Sequence, residues 1–330
     1  MKEPIYDILI QNTRILTPDM AIRSGVDVAI KDGMISSICS SGSLSCQEAE
    51  QTVDGSLLLW MPGLTDGHMH TCQQLLRGKI LDALPMIWTR IMLPFESTLT
   101  PEAVSLSAAL CSLEMIRGGT TSFLDAGGIH MDEAAKIYIK SGLRGALTLS
   151  TMDDTKVPDS MRADAAESIS RLNEYYNTWN GSGDGRLSVY YSLRSLISCS
   201  EELIRGVFEA ASERSAMVEA HMNEYPNEIN YHLERYQMRP MEYLDSLGVL
   251  SDHFVSAHSL LLSEHEIELM AANGVKAVHC PFSNCGKGVP NTPRLLESGI
   301  SVAFGTDGTA HGGMSLFQEM KRSEEHTSEL

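Results

Sequence analysis

The sequence has no long apolar run, no C-x-x-C pair and no long block of acidic residues. A membrane-spanning helix needs about 20 consecutive apolar residues, and no stretch of this chain approaches that length. The first residues, MKEPIYDILI, also lack the charged and apolar regions of a signal peptide. We therefore expect a cytoplasmic protein that does not act at a membrane.

Cysteine usage and charge argue against two further classes of protein. The 7 cysteines are odd in number, which is typical of reduced, mostly buried thiols and not of a disulfide framework. Cys280 and Cys285 have no further cysteine or histidine at the spacing of a metal site, so we expect both side chains to pack in the core and not to bind a metal ion. The formal net charge of -18 disfavours binding to nucleic acid. A hydrophobic content of 43% in 330 residues indicates a globular chain with a large core.

The apolar pattern changes near residue 60. Residues 5–60 alternate short apolar runs with turn signals, including Asp32-Gly33, and predict a small β domain over residues 1–60. After it, short apolar runs alternate with helical stretches, several of which follow a Thr, Ser or Asp that can cap a helix. The predicted helices include 101–117, 132–141, 161–178, 201–214 and 263–272.

The short apolar runs number eight: GLTDGHMH, TTSFLD, LRGALTLS, RLSVYYSL, MVEAHM, HFVSAH, VKAVHC and ISVAFGTD. Eight strand and helix alternations predict an α/β fold of the parallel (β/α)8 TIM-barrel class. A doubly wound sheet is the alternative, but no G-x-G-x-x-G follows a strand.

Metal-binding side chains stand where the predicted strands end. The C-terminal ends of barrel strands converge on one mouth, which carries the chemistry. Here they carry His68 and His70, His221, His258 and Asp307. A lone histidine is more often a hydrogen-bonded core residue. His68 and His70, however, are two residues apart and therefore share one face of a strand. Together, imidazoles and a carboxylate are typical of a zinc or ferrous iron site with a position open for water.

Glu224 lies three residues beyond His221, in the sequence HMNE. Its carboxylate is expected to reach over the site from the loop, which suits a proton shuttle. The alternative is a solvated loop glutamate.

The segments that contain these residues resemble the amidohydrolase superfamily. They are MPGLTDGHMHTCQQLLRG, RGGTTSFLD, EAHMNE, VSAHSLLLSEHEIELMAANGVKAVHCPFSN and ISVAFGTDG. Within the superfamily, the chain is most similar to the deaminase and chlorohydrolase group, which includes S-adenosylhomocysteine/methylthioadenosine deaminases and guanine deaminases. The resemblance extends from residue 5 to residue 321.

This resemblance implies a metal centre. His68, His70 and His221 match the three histidine ligands, and Asp307 matches the aspartate that binds the ion and accepts a proton from the hydrolytic water. No lysine ends the fourth strand, where dinuclear relatives carry a bridging lysine. One divalent ion is therefore expected, with zinc first and iron second.

The resemblance also implies catalytic and substrate-binding residues. His258 matches the histidine that orients the water, and Glu224 matches the glutamate that protonates the substrate. Glu96 falls where related deaminases hold ribose hydroxyls, and Trp88 falls where an aromatic residue closes the pocket. Arg194 stands where adenosine-type relatives have histidine and guanine deaminases have arginine.

Arg194 and His311 are departures from the adenosine-type pattern. We expect Arg194 either to donate to a ring carbonyl or a carboxylate of the substrate, or to form a salt bridge with an acidic residue. His311 stands where small polar residues are usual. Both departures count against a plain adenosine-type substrate.

These residues predict a metal-dependent hydrolase that removes ammonia from an amino-substituted purine, nucleoside or related heterocycle. The alternatives are displacement of chloride from a triazine, opening of a cyclic amidine or amide, and an inactive metal-binding fragment. The expected partner is a small heterocyclic substrate, and the full-length protein is expected to be a homo-oligomer.

The sequence ends in RSEEHTSEL, which resembles the in-frame translation of a sequencing-library adapter. We therefore expect a C-terminally truncated chain. In this interpretation the barrel occupies residues 61–321, residues 322–330 are a non-native tail, and the small β domain lacks its C-terminal strands.

Overall fold

The structure is a computed structural model that describes residues 4–79, 87–289, 291–308 and 313–327, with side chains up to residue 324. By internal contacts the chain divides into two units, Met1–Gly63 and Leu64–Leu330.

The first unit is a β-sheet in the order β3-β2-β1-β4, with β5 also paired to β1. Its strands are β1 (Tyr6–Leu16), β2 (Ile22–Lys31), β3 (Met34–Ser40), β4 (Ala49–Asp54) and β5 (Leu59–Trp60). Strands β2 and β3 form an antiparallel hairpin. Its turn residues, Asp32 and Gly33, have φ of 50° and 72°, the left-handed conformation that such tight hairpin turns require.

The second unit is a barrel of parallel strands that pair in chain order. The strands are β6 (Leu64–Met69), β7 (Thr120–Asp125), β8 (Arg144–Leu147), β9 (Leu187–Val189), β10 (Tyr191–Ser195), β11 (Val218–Met222), β12 (Phe254–His258), β13 (Lys276–His279) and β14 (Val302–Phe304). β9 pairs with β8 and β10 pairs with β11, so the two are halves of one barrel strand interrupted at Tyr190. A parallel bridge between Met69 and Asp307 joins the two edges. The predicted α/β barrel is confirmed.

Helices connect the strands. They are α1 (Leu93–Glu96), α2 (Pro101–Gly118), α3 (Met131–Ser141), α4 (Ala165–Trp179), α5 (Ser182–Gly185), α6 (Glu201–Ser212), α7 (Pro226–Tyr236), α8 (Pro240–Ser246), α9 (Glu264–Asn273), α10 (Pro281–Asn284), α11 (Thr292–Glu297) and α12 (Leu316–Thr327). The side chains of Thr100, Ser200 and Ser263 cap α2, α6 and α9. The predicted start of α4 at residue 161 is wrong, because Asp164 caps this helix and accepts from the amide of Glu167.

Apolar side chains from the strands pack against the surrounding helices. One cluster contains Leu193, Ala220 and Phe254 together with residues of α6, and another contains Phe123 with residues of α2 and α3. Among the described residues, no single helix is long and apolar enough to cross a membrane. One pair of helices, 88–96 and 101–118, reaches that length and composition only when combined, and the pair is bent by 111°.

Candidate metal centre and active site

The four predicted metal ligands lie together at the C-terminal ends of their strands. His70 Nε2 lies 3.0 Å from His221 Nε2 and 3.3 Å from Asp307 Oδ1. His68 Nε2 lies 3.5 Å from the same aspartate oxygen. All four side chains are buried. The strand-end pattern therefore brings together the residues that the sequence singled out.

Close backbone contact between β6 and the segment after β14 places Asp307 beside His68. The amide of Asp307 donates to the carbonyl oxygen of His68 at 2.9 Å. A Cβ atom at Gly305 would lie 2.8 Å from that carbonyl oxygen, so only glycine allows this approach. The carboxylate of Asp66 accepts hydrogen bonds from the amide and hydroxyl of Thr306 at 3.0 and 2.6 Å, which fixes the same segment.

The separations between these side-chain atoms fit one shared ion. Two ligand atoms that are each about 2.0–2.2 Å from a tetrahedral zinc ion are themselves about 3.3–3.6 Å apart, and less at smaller angles. Ligand atoms of His68, His221, His258 and Asp307 all lie within 4.8 Å of one another. The buried Nε2 atoms of His68 and His258 make no hydrogen bond to any residue that the structure describes. This donor set can hold a divalent ion.

The surroundings of the histidines set their protonation in opposite directions. Burial and the imidazoles of His68 and His70 lower the pKa of His221 well below its usual value, so this ring is neutral. Burial also acts to lower the pKa of His68, but the carboxylates of Asp307 and Glu219 raise it to about 10. Glu219 Oε1 lies 3.0 Å from His68 Nδ1. A carboxylate there would orient the imidazole as a metal ligand, and a bound divalent ion would take the place of the proton on Nε2.

His258 ends β12 and faces two carboxylates. Its Nδ1 lies 2.9 Å from Asn284 Oδ1, which orients the ring. Its Nε2 lies 3.6 Å from Glu224 Oε1 and 4.0 Å from Asp307 Oδ2. The backbone of His258 is left-handed, with φ of 70°, a conformation that non-glycine residues adopt at a cost and that is frequent at functional sites. This position suits the orientation of a water molecule between the two carboxylates.

The loop that carries Glu224 is held by buried acidic side chains. Glu228 accepts from the amides of Asn223 and Glu224 at 3.0 and 2.9 Å. The Asn223 side chain donates to Glu266 at 2.9 Å. Burial raises the pKa of Glu228 to about 8. Glu224 is thus a fixed residue at the mouth of the metal site, and its side chain is only 12% exposed.

Sequence reasoning missed Lys287, which lies in the segment after β13. Its Nζ donates to Glu224 Oε1 and to Ser283 Oγ, and its side chain is only 9% exposed. Burial acts to raise the pKa of Glu224, but His258 and Lys287 hold it below its usual value, so the carboxyl group is ionised. The available signal was a lysine among glycines, GKG, just after a strand end.

The predicted substrate residues Glu96 and Arg194 bind each other. Arg194 Nη1 donates to Glu96 Oε2 at 3.0 Å and Nη2 donates to Oε1 at 2.9 Å. Gln73 Nε2 also donates to Glu96 Oε1, at 2.8 Å. Of the two expectations for Arg194, the structure has the salt bridge. His311 lies outside the described residues.

Trp88 lies between the metal site and a larger cavity. A space of about 10 Å³ is bordered by Trp88, Arg194, His221 and Glu224. An outer cavity of about 460 Å³ shares Trp88 and Ile197 with this space. The Nε1 atom of Trp88 is buried and has no hydrogen-bond partner in the described part of the chain.

The barrel and its strand-end cluster of histidines and aspartate define a metal-dependent hydrolase of the amidohydrolase type. The chain belongs to the Amidohydrolase family, whose model matches residues 59–328.

Several similar proteins are deaminases. The chain is 36% identical over 326 residues to the 5'-deoxyadenosine deaminase of Methanothermobacter thermautotrophicus. The match covers 95% of this chain and 72% of the relative. The chain is 32% identical over 323 residues to the 5-methylthioadenosine/S-adenosylhomocysteine deaminase of Pelotomaculum thermopropionicum, covering 96% and 72% of the two chains. The crystal structure of an adenosine deaminase from Xanthomonas campestris with bound zinc matches with a TM-score of 0.88 and 25% identity. That match covers 100% of this chain and 75% of the other.

The predictions of an amidohydrolase and of a hydrolase of carbon–nitrogen bonds other than peptide bonds are confirmed. The family and the His/Asp cluster support a divalent metal ion in this site.

Proposed function

We propose that this protein hydrolytically deaminates an adenosine-type purine nucleoside. The observation that carries the proposal is the convergence of Glu224, His258 and Asp307 beside the His68, His70 and His221 cluster. Its relatives in the same family are 5'-deoxyadenosine and 5-methylthioadenosine/S-adenosylhomocysteine deaminases, which supports a nucleoside substrate.

In the proposed site, His68, His70, His221 and Asp307 hold one divalent ion. When bound, such an ion lowers the pKa of a water molecule to about 7 and so supplies a nucleophile at neutral pH. Zinc is the proposed ion, because three imidazoles and a carboxylate suit it and the adenosine deaminase from Xanthomonas campestris contains zinc.

The chain's own residues move the protons. His258 Nε2 orients the water, and Glu224 takes a proton from it and delivers that proton to the ring nitrogen next to the attacked carbon. The attack forms a tetrahedral carbon with a hydroxyl and an amino group. Asp307 accepts the hydroxyl proton and passes it to the amino group, which leaves as ammonia. The product has a ring carbonyl and a protonated ring nitrogen, so one water is consumed for each ammonia released.

The space beside the proposed metal ligands must hold both the water and the reacting part of the substrate, and among the described residues it is small. The space beside His221 and Glu224 is about 10 Å³, enough for one water molecule but not for a purine. We propose that the purine enters from the outer cavity of about 460 Å³ by displacement of Trp88. That cavity is large enough for the rest of a nucleoside.

Ammonia release from purified protein tests this function. The substrates to compare are adenosine, 5'-deoxyadenosine, 5'-methylthioadenosine, guanine and a chlorotriazine, with chloride release measured for the last. We expect deamination of the adenosine compounds, loss of activity after removal of metal by a chelator, and recovery with added zinc. Deamination of guanine without any adenosine compound, or chloride release alone, would contradict the proposal.

A further inference from the structure

A buried lysine approaches Glu224 from the segment after β13. Lys287 Nζ donates to Glu224 Oε1 and lies 4.0 Å from Asp307 Oδ2. The same ammonium group donates to Ser283 Oγ and lies 5.0 Å from the ring centre of Tyr225. An ammonium group that is only 9% exposed is stable only when its charge is compensated, and here two carboxylates and an aromatic face do so.

The carboxylate that Lys287 binds lies at the edge of the metal site. Glu224 Oε1 is 3.6 Å from His258 Nε2, and that nitrogen lies 4.0 Å from the carboxylate of Asp307, a proposed ligand. A carboxylate at this distance can become a ligand of the ion by a side-chain rotation, since carboxylate oxygens bind zinc well. A glutamate that binds the ion can no longer transfer protons to a substrate.

The segment that carries Lys287 also orients the second group at this edge. Asn284 Oδ1 lies 2.9 Å from His258 Nδ1, and Asn284 Nδ2 donates to the His258 carbonyl oxygen at 3.3 Å. Asn284 and Lys287 are linked by a backbone hydrogen bond of 2.8 Å from the Lys287 amide. One short turn of chain therefore contacts both His258 and Glu224.

We propose that Lys287 is a positioning residue that holds Glu224 off the metal ion and keeps its carboxylate facing the substrate. The proposal rests on the proposed deaminase function for the role of Glu224, but the position of Glu224 can be measured without turnover. Lys287 does not touch the reacting atoms and acts through the carboxylate to which it donates, Glu224.

Three variants separate positioning from a general effect of charge. Lys287→Met removes the cation at similar volume, and Lys287→Arg retains it. Lys136→Met is the control, because Lys136 pairs with Glu133 on the surface, where its side chain is 51% exposed. We expect Lys287→Met to lower kcat by at least about tenfold with little change in KM, since proton transfer and not binding is impaired. Lys287→Arg should recover part of the loss, and Lys136→Met should behave as the wild type.

The coordination of the ion gives the second readout. Each variant is loaded with Co²⁺, whose visible absorption weakens when its coordination number rises. We expect Lys287→Met to have a weaker visible spectrum than the wild type because Glu224 joins the ion. The double variant Lys287→Met/Glu224→Gln, which has no free carboxylate there, should regain the wild-type spectrum.

The outcomes distinguish this proposal from the proposed function. Wild-type spectra and kcat in Lys287→Met would overturn the positioning role, as would a spectral change that persists in the double variant. Absence of deaminase activity in the wild type would overturn the proposed function, while the cobalt spectra would still decide whether Lys287 holds Glu224. If Lys287→Met does not fold, Lys287→Gln, which also removes the cation, takes its place in both measurements with the same expected results, and a wild-type spectrum and kcat in Lys287→Gln would overturn the positioning role.

Discussion

Arg194 and Glu96 form a buried ion pair with two parallel hydrogen bonds of 3.0 and 2.9 Å. The arginine is 2% exposed and the glutamate is fully buried. The guanidinium group that could have bound a ring carbonyl, and the carboxylate matched to ribose hydroxyls, are therefore engaged with each other. This pairing removes the main argument against an adenosine-type substrate.

Substrate preference follows from this pair. Both terminal nitrogens of Arg194 donate to Glu96, so the guanidinium group could bind the carbonyl of guanine only through Nε, which has no partner in the described part of the chain, or by opening of the pair. We expect kcat/KM for adenosine or 5'-deoxyadenosine to exceed that for guanine by at least about tenfold, the scale of one unfulfilled polar contact in a binding site. Ammonia release measured over a range of substrate concentrations gives both values. A preference for guanine would mean that Arg194 donates to it through Nε or that the pair opens when substrate binds.

The same pair predicts a large effect on stability. Arg194→Met leaves the Glu96 carboxylate buried without its cation, and we expect the free energy of unfolding to fall by about 3–5 kcal/mol. The double variant Arg194→Met/Glu96→Gln should lose less than the single variant, because no unpaired charge remains. Arg171→Met is the control. Its side chain is 56% exposed and pairs with Glu167 on the surface, so its loss should cost at most about 1 kcal/mol. Urea denaturation followed by circular dichroism measures these differences, and equal losses in both Arg194 variants would contradict the account.

The strand ends were predictable from sequence, whereas the contacts between distant side chains were not. His68, His70, His221 and Asp307 each follow an apolar run, and the parallel barrel brings all such ends to one mouth. Arg194 and Glu96 are 98 residues apart, and either a substrate contact or a salt bridge fitted the local sequence.

Lys287 is a second contact between distant residues that the sequence did not predict. It lies 63 residues from Glu224, and its local sequence, GKG, fits a solvated loop lysine as well as a buried one. The break between β9 and β10 at Tyr190 was also missed, because RLSVYYSL contains no turn signal and predicts one strand. Local pattern determines which residues end a strand, and packing determines which of them meet.

Glu224 should be necessary for turnover but not for metal binding. Glu224→Gln retains the shape of the side chain and one acceptor oxygen but cannot carry a proton. We expect metal content to remain at the wild-type level and kcat to fall by at least about 10²-fold, the usual scale for a general acid or base. Glu202→Gln, at an exposed position in α6, is the control. Elemental analysis and ammonia release measure the two effects, and near-normal turnover would remove Glu224 from the mechanism.

Trp88 should affect substrate binding more than chemistry. Its side chain borders both the space beside Glu224 and the outer cavity. Trp88→Ala removes an aromatic face that would cover a bound purine, a contact worth about 1.5–3 kcal/mol, so KM should rise by about tenfold or more. Trp88→Phe should have a smaller effect because it keeps an aromatic ring. Trp179→Phe, at the end of α4, is the control. A fall in kcat without any change in KM would contradict this role.

The buried carboxyl group of Glu228 should make stability depend on pH. Burial raises its pKa from 4.5 to about 8 in the folded chain, so the folded state retains a proton that the unfolded state releases. This proton stabilises the folded state fully below pH 4.5, and the stabilisation is lost as the pH rises towards about 8.

Glu228→Gln mimics the protonated carboxyl group at every pH. Between pH 4.5 and about 8, the free energy of unfolding of the wild type should therefore fall more steeply than that of the variant, by up to about 1.4 kcal/mol per pH unit. Glu268→Gln, at a position that is 71% exposed, should run parallel to the wild type. Urea denaturation at several pH values in this window measures the slopes. Agreement between the unfolding and refolding curves establishes that denaturation is reversible. Parallel slopes for the wild type and Glu228→Gln would mean that Glu228 is ionised in the folded protein, with the amides of Asn223 and Glu224 stabilising its charge.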